Sequence, residues 1–116
     1  MPKIRVPREI QLIAQRAIEY NNSRPISQRA AYKDDGKKRV PGTGMRTARR
    51  LASGQVDLAQ LKLMDAWFAR HGESPKESKA RQDKTSKAAI AWALWGGTPG
   101  RKWVSRAIKK MKKDKE

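Results

Sequence analysis

The chain has 116 residues, 37% hydrophobic and 34% charged, which is enough for one domain with a small core and too little for two ordinary ones. Its 28 Lys and Arg against 11 Asp and Glu leave a net charge of +17, a self-repulsion that a polyanionic partner relieves and that points first to nucleic acid. The absence of cysteine excludes a disulfide framework, a single histidine leaves metal ligands scarce, and no run approaches the roughly 18 apolar residues of a membrane helix or forms a signal-peptide pattern.

Met1 to Val6 reads as a short basic arm carrying Lys3 and Arg5. Pro7 suits the first position of a helix that runs from Arg8 to about Asn21, with Ile10, Ile13, Ala14, Ala17 and Ile18 at helical spacing. Asn21-Asn22-Ser23 and Pro25 end it. Ser27 is placed to cap a short helical turn through Gln28 to Tyr32, and residues 33–44 read as a flexible loop rich in glycine, proline and charge. Its Lys37-Lys38-Arg39 triplet reads as solvated surface, with phosphate contact or a localisation signal as the sharper alternative.

Thr43 is expected to cap a second helix over Met45 to Ala52 that turns Met45, Ala48, Leu51 and Ala52 inward. Arg46, Arg49, Arg50 and Ser53 then share the outer face, and Gly54 stops the helix. Asp57 with Gln60 forms an approximate capping box for a third helix from Leu58 to about His71. Leu58, Leu61, Met64 and Phe68 make its apolar stripe, widened by Leu63 and Trp67. Two helices joined by Ser53-Gly54-Gln55-Val56 invite comparison with helix-turn-helix readers of DNA. The strict pattern fails, because Arg50 stands where a small residue is usual and Gln60 where an aliphatic one is. Simple packing is the better reading of this hairpin. Residues 73–85 hold no apolar side chain larger than Ala80 and read as a charged, flexible connector.

Ala88 to Trp95 is the one long apolar run. Its length and alanine content favour a helix capped by Thr85 or Ser86 and buried on nearly every side. Gly96-Gly97 stops it, Thr98 caps the next helix and Pro99 takes its first turn. That last helix runs to about Lys112, with Trp103, Val104, Ala107, Ile108 and Met111 inward and Arg101, Lys102, Arg106, Lys109 and Lys110 outward; residues 113–116 form a charged tail. The tryptophans of this stretch admit base stacking, yet within an apolar run Trp92, Trp95 and Trp103 read mainly as core, with Trp92 the one expected to be partly exposed.

Catalysis finds little support. The acids are scattered, Asp65 and His71 fall on different faces of their helix, and His71 at a helix C-terminus reads as a partner of the helix dipole. Gly96-Gly97-Thr98-Pro99-Gly100-Arg101-Lys102 lacks nucleotide-loop spacing and follows a helix instead of a strand, so it reads as a helix break that touches a backbone phosphate.

The segment Ala91-Trp-Ala-Leu-Trp-Gly-Gly-Thr-Pro-Gly-Arg-Lys-Trp103 resembles a family of small phage- and prophage-encoded proteins with an Ile-Ala-Trp-x-Leu-Trp-Gly-Gly-Asp-x-Gly-x-x-Trp pattern. Thr47-Ala-Arg-Arg-Leu-Ala-Ser-Gly54 and Met64-Asp-Ala-Trp-Phe-Ala-Arg-His71 resemble two further helices of that family, so the likeness covers roughly residues 45–103. Thr98 replaces the usual Asp, which capping tolerates. The resemblance implies a phage origin, a compact helical module and action in the host cytoplasm, and it brings no activity.

The sequence therefore predicts one all-α domain, a bundle of four to five short helices with its core over about 45–112. The last two helices are expected to pack on the hairpin of residues 45–71, with the N-terminal helix covering the remaining face. The expected function is non-enzymatic, sequence-tolerant DNA binding through phosphates, without cofactor, metal or membrane. Arg46, Arg49 and Arg50 form one patch; Arg101, Lys102, Arg106, Lys109 and Lys110 form the other. RNA or single strands are alternative nucleic-acid partners. An acidic host or virion protein, bound by a virion-associated or host-takeover protein, is the rival.

Overall fold

The computed structural model describes residues 3–34, 36 and 38–115. Asp35, Lys37 of the basic triplet and Glu116 of the tail lie outside the described residues, as do Met1 and Pro2 of the arm. Residues 4–6 of the arm are paired. Ile4–Arg5 (β1) forms an antiparallel ladder with Gln55–Val56 (β4), Ile4 opposite Val56 and Arg5 opposite Gln55. The Val6 N–H donates to the Gly54 carbonyl at 2.8 Å, and Val6 itself is fully buried. A two-residue ladder is too short to announce itself by alternation, which is why neither strand is legible in the sequence.

The N-terminal helix α1 spans Arg8–Ser23 and buries Ile10, Ala14, Ala17 and Asn21. Asn21, expected to end the helix, lies within it as a fully buried clamp. Its Nδ2 donates to the Ala30 carbonyl at 3.0 Å while its Oδ1 accepts from the Ala30 N–H at 2.9 Å. The helical turn expected over residues 28–32 is displaced: a 3-10 turn covers Ile26–Gln28, and Tyr32 already belongs to strand β2. β2 (Tyr32–Asp34) pairs antiparallel with β3 (Arg39–Pro41), so the segment read as loop carries two paired strands. Its turn residues dominate its composition and mask the short strands.

Helix α2 covers Thr43–Ser53. Gly42, not Thr43, holds the cap position, and no side chain caps the helix. The backbone is pinned there, because the Gly42 N–H donates to Ala31 O at 2.6 Å and a Cβ on Gly42 would sit 3.0 Å from that oxygen. Gly54 ends α2 at φ 97°, a left-handed conformation that glycine takes without cost. Helix α3 spans Leu58–Gly72, and Asp57 caps it by accepting from the Gln60 N–H at 2.8 Å. Asp57→Ala is expected to lower stability by about 1 kcal/mol, read as a shift of the urea midpoint at unchanged slope.

The stretch read as a connector carries a six-residue helix, α4 (Pro75–Ala80), with Ser74 accepting from the Glu77 N–H and Pro75 in the first turn. Good capping chemistry makes a helix there without an apolar stripe. In the turn that follows, the Thr85 hydroxyl and N–H donate to Asp83 and hold its carboxyl below the ordinary range. Ser86 then caps α5 (Lys87–Leu94).

Between α5 and α6 (Gly97–Lys115) the chain turns at Gly96, φ 108°, and Gly97, φ 67°. A Cβ on Gly96 would meet Gly100 Cα at 3.1 Å and Ile10 Cγ2 at 3.2 Å, so α1 and α6 close directly on this residue. The ladder of α6 begins at Gly97, and Thr98, expected as its cap, gives its hydroxyl oxygen to the Trp92 indole N–H at 3.2 Å.

Among the described residues the domain is thus all-α in character: five helices of eight residues or more, the short α4, and two small ladders. As expected, the last two helices pack on the segment 45–71, α6 on α3 and α5 on α2, and the N-terminal helix covers a further face, but α2 and α3 are not themselves a principal pair. The principal pairings are α1 with α2, α3 with α6 and α1 with α5; α1 lies across α2 and α5 with Ile10, Ala14, Ala17 and Asn21 inward and Arg8, Gln15, Arg16 and Glu19 exposed. The core begins at Val6, well before residue 45, and runs through Ile10, Met45, Leu51, Leu61, Phe68, Leu94, Trp95 and Val104. Among the described residues, no helix is long and apolar enough to cross a membrane.

Candidate nucleic-acid interface

α2 buries Met45, Thr47, Ala48 and Leu51, which forces Arg46, Arg49 and Arg50 into solvent on the opposite face. Two of these arginines are oriented. Arg46 Nη2 donates to Thr43 Oγ1 at 3.1 Å, and Arg50 Nη1 donates to Gln60 Oε1 at 2.5 Å. Gln60 is buried and passes the bond on, its Nε2 donating to Thr47 Oγ1 at 3.1 Å. The two residues that break the helix-turn-helix pattern are therefore partners, a polar bridge from α2 to the start of α3.

On α6, Val104 is buried and Trp103, Ala107, Ile108 and Met111 are half-buried, while Lys102, Arg106, Lys109 and Lys110 are exposed. Arg101 differs from them. It is half-buried, its Nη2 lies 2.6 Å from Glu73 Oε1, and its guanidinium occupies the space that a Cβ on Gly72 would need. Of the eight cations named from the sequence, Arg101 alone is ion-paired among the described residues, and Glu73 spends part of its charge on tying α6 to the end of α3.

Both α2 and α6 reach the first two turns of α3. Gln60 there holds Arg50, and Leu58 and Lys62 line a groove with Ile108, Met111 and Lys112 of α6. Lys102 and Arg106 flank a second groove with Pro7, Ile10 and Trp103, and Glu9 stands in it as the one acid. Nothing in the sequence singles out Lys62 and Lys112; only the packing of α3 on α6 brings them to one groove.

A cavity of about 430 Å³ lies on another side, between α3 and α5, and sequence reasoning passes it over. Trp67 stacks on Trp95 at 4.7 Å and 9°, and Trp92 lies 5.9 Å from Trp67 with Arg81 4.0 Å over its ring. His71, 4.5 Å from Trp67, shares a hydrogen bond between its Nδ1 and Glu77 Oε1 at 2.6 Å, and Arg81 Nη1 donates to the His71 carbonyl. His71 is thus held by α4 as well as lying in the last turn of α3. Trp95 is core, as expected from the apolar run, and Trp92 and Trp103 are half-buried. Trp67 and Arg81 come from segments read separately as an apolar stripe and a connector, and only the fold joins them. Compared with family models, with curated proteins and with solved structures, the chain shows no match.

Proposed function

We propose that the protein binds nucleic acid, DNA first, through its phosphate backbone and with little preference for sequence. One observation carries this reading: Arg46, Arg49, Arg50, Lys102, Arg106, Lys109 and Lys110 stand exposed, without an ion-pair partner among the described residues, on a chain of net charge +17. Such cations are excluded from the core by the apolar stripes behind them and have no carboxylate to satisfy, so a polyanion supplies what the fold does not. Phosphate contacts position without reading bases, and the chain lacks the helix-turn-helix residues that would place a reading helix in the groove. The function is one of binding and not of catalysis. The motif resemblance supports a phage-encoded protein acting in the host cytoplasm.

The test is fluorescence anisotropy of the purified protein on duplex DNA, single-stranded DNA and RNA at several salt concentrations. Affinity for duplex is expected to fall steeply, with a log–log slope near −0.9 per phosphate contact. Tight binding with a flat salt dependence would remove this mechanism. An acidic protein that stays bound after nuclease treatment, with no affinity for any of the three nucleic acids, would assign the charge to that partner instead.

A further inference from the structure

The cavity between α3 and α5 has a polar end. Thr43 and Gly44, the first two residues of the 11-residue helix α2, line it, and that helix has no side-chain cap. Backbone N–H groups in a first turn have no acceptor within their own helix, and the dipole favours an anion there. A second feature faces the same space. Trp95 is only 3% exposed, yet its indole N–H donates to no described group, and its ring lines the cavity. The residue is buried but its nitrogen edge is open to the cavity, so an acceptor bound there can take the N–H. The absence of a side chain at Gly44 keeps this nitrogen accessible, since a Cβ there would lie 3.2 Å from Trp95 Nε1.

The remaining walls define the occupant. Leu63, 41% exposed, stands with Trp67, Ala88 and Ala91 as an apolar side, and Arg70 and Arg81 add two cations. Glu77 is the one carboxylate, and it is engaged by His71. The cavity therefore offers donors, positive charge and flat apolar surface, and asks for a ligand that combines acceptors, negative charge and a planar ring. Its volume is within the ordinary range of small-molecule sites.

We propose that this cavity holds a single nucleotide unit, its phosphate at the N-terminus of α2, where an oxygen takes the Trp95 N–H beside Gly44, and its base against the Leu63–Trp67 wall. The proposal rests on the nucleic-acid reading and adds to it a site for an unstacked base, which adjoins the α2 patch only through the Arg46–Thr43 bond. A free nucleotide and a nucleotide within a single strand share the required chemistry.

Trp67, Trp92 and Trp95 all line the site, so intrinsic fluorescence of the whole protein reports occupancy. The probes are dTMP, thymidine, inorganic phosphate and a 5′-phosphorylated thymidine tetranucleotide. Saturable quenching by dTMP, at least about ten-fold tighter than by thymidine or phosphate alone, is expected, because neither half fills both ends of the cavity. Tighter binding of the tetranucleotide than of dTMP assigns the site to a strand, and the reverse order to a free nucleotide. Thr43→Glu suits the exposed first position of α2 and the helix dipole, so it keeps the fold while repelling a phosphate. It should weaken dTMP about ten-fold or more, and shift the duplex salt slope by no more than the one contact that Arg46 represents. Trp95→Phe, which removes the N–H and keeps a ring, should weaken dTMP several-fold. No saturable quenching by dTMP or the tetranucleotide at about 1 mM, or equal affinity of both variants and the unchanged protein, overturns the pocket. Duplex binding that persists in that case leaves the phosphate-contact reading standing, while nucleotide quenching without salt-dependent duplex binding removes that reading and keeps the pocket.

Discussion

Replacing Asn21 by Leu is expected to lower the stability of the fold by about 2–4 kcal/mol, a large part of the 5–15 kcal/mol typical of a small domain. Leu fills nearly the same volume, so the loss isolates hydrogen bonding from packing. In the native fold Asn21 satisfies both the N–H and the C=O of Ala30, a residue only 3% exposed, and its Nδ2 also lies 3.3 Å from Met45 Sδ. The substitution leaves two buried backbone groups without partners, each costing about 1–3 kcal/mol. The consequence reaches further than the cost. Ala30 is followed by Ala31 at φ 57°, whose carbonyl accepts from Gly42, so the same clamp positions the start of β2 and of α2. Urea unfolding of Asn21→Leu beside Asn22→Ala, the exposed neighbour, reads the effect directly. Equal midpoints for the two would show that the clamp contributes nothing.

Much of the helical fold is legible in the sequence, and the reason is periodicity. The stripes Ile10-Ala14-Ala17 and Leu61-Met64-Phe68 are buried as their spacing predicts, Asp57 caps as its chemistry predicts, and Gly54 and Gly96 take the positive φ that a helix stop requires. What escapes is whatever depends on tertiary contact. The strands β1 and β4 are two residues each and exist because α1 and the end of α2 come together. Helix α4 has caps but no apolar face, so a rule that looks for stripes reads it as connector. Asn21 looks like a terminator because asparagine commonly is one, and its buried role depends on a residue nine positions away. The interface divides in the same way. Exposure of Arg46, Arg49 and Arg50 follows from helix geometry, whereas the pairing of Arg101 with Glu73, 28 residues apart, does not. The cavity is the least legible feature of all. Its tryptophans are visible in the chain, but a run of apolar residues gives no sign of which ring edge is left facing open space.

Neutralising Lys102, Arg106, Lys109 and Lys110 together to Gln is expected to weaken duplex binding by about three orders of magnitude at 0.1 M salt. Each phosphate contact contributes about −0.9 to the log–log slope, so relative to 1 M salt each is worth roughly eight-fold at 0.1 M, and four compound. The slope itself should become shallower by between three and four. Arg46→Gln with Arg49→Gln should flatten it by about two. Arg50 is left intact in that pair because its bond to Gln60 also joins α2 to α3, and removing it would mix stability with binding. The fold should not suffer. All four α6 residues are exposed, Gln keeps good helix propensity, and the net charge drops from +17 to +13, which relieves self-repulsion. Unfolding midpoints are therefore expected to hold or rise while affinity collapses, an opposition that general misfolding cannot produce. If the two patches grip one duplex, the combined sixfold variant should lose the sum of the two slopes. If only one patch engages, the other set of substitutions leaves the slope where it was, and the contact surface contracts to a single helix. A fourfold variant of α6 that binds duplex with unchanged slope would take that helix out of the interface and leave Arg46, Arg49 and Arg50 to account for the charge.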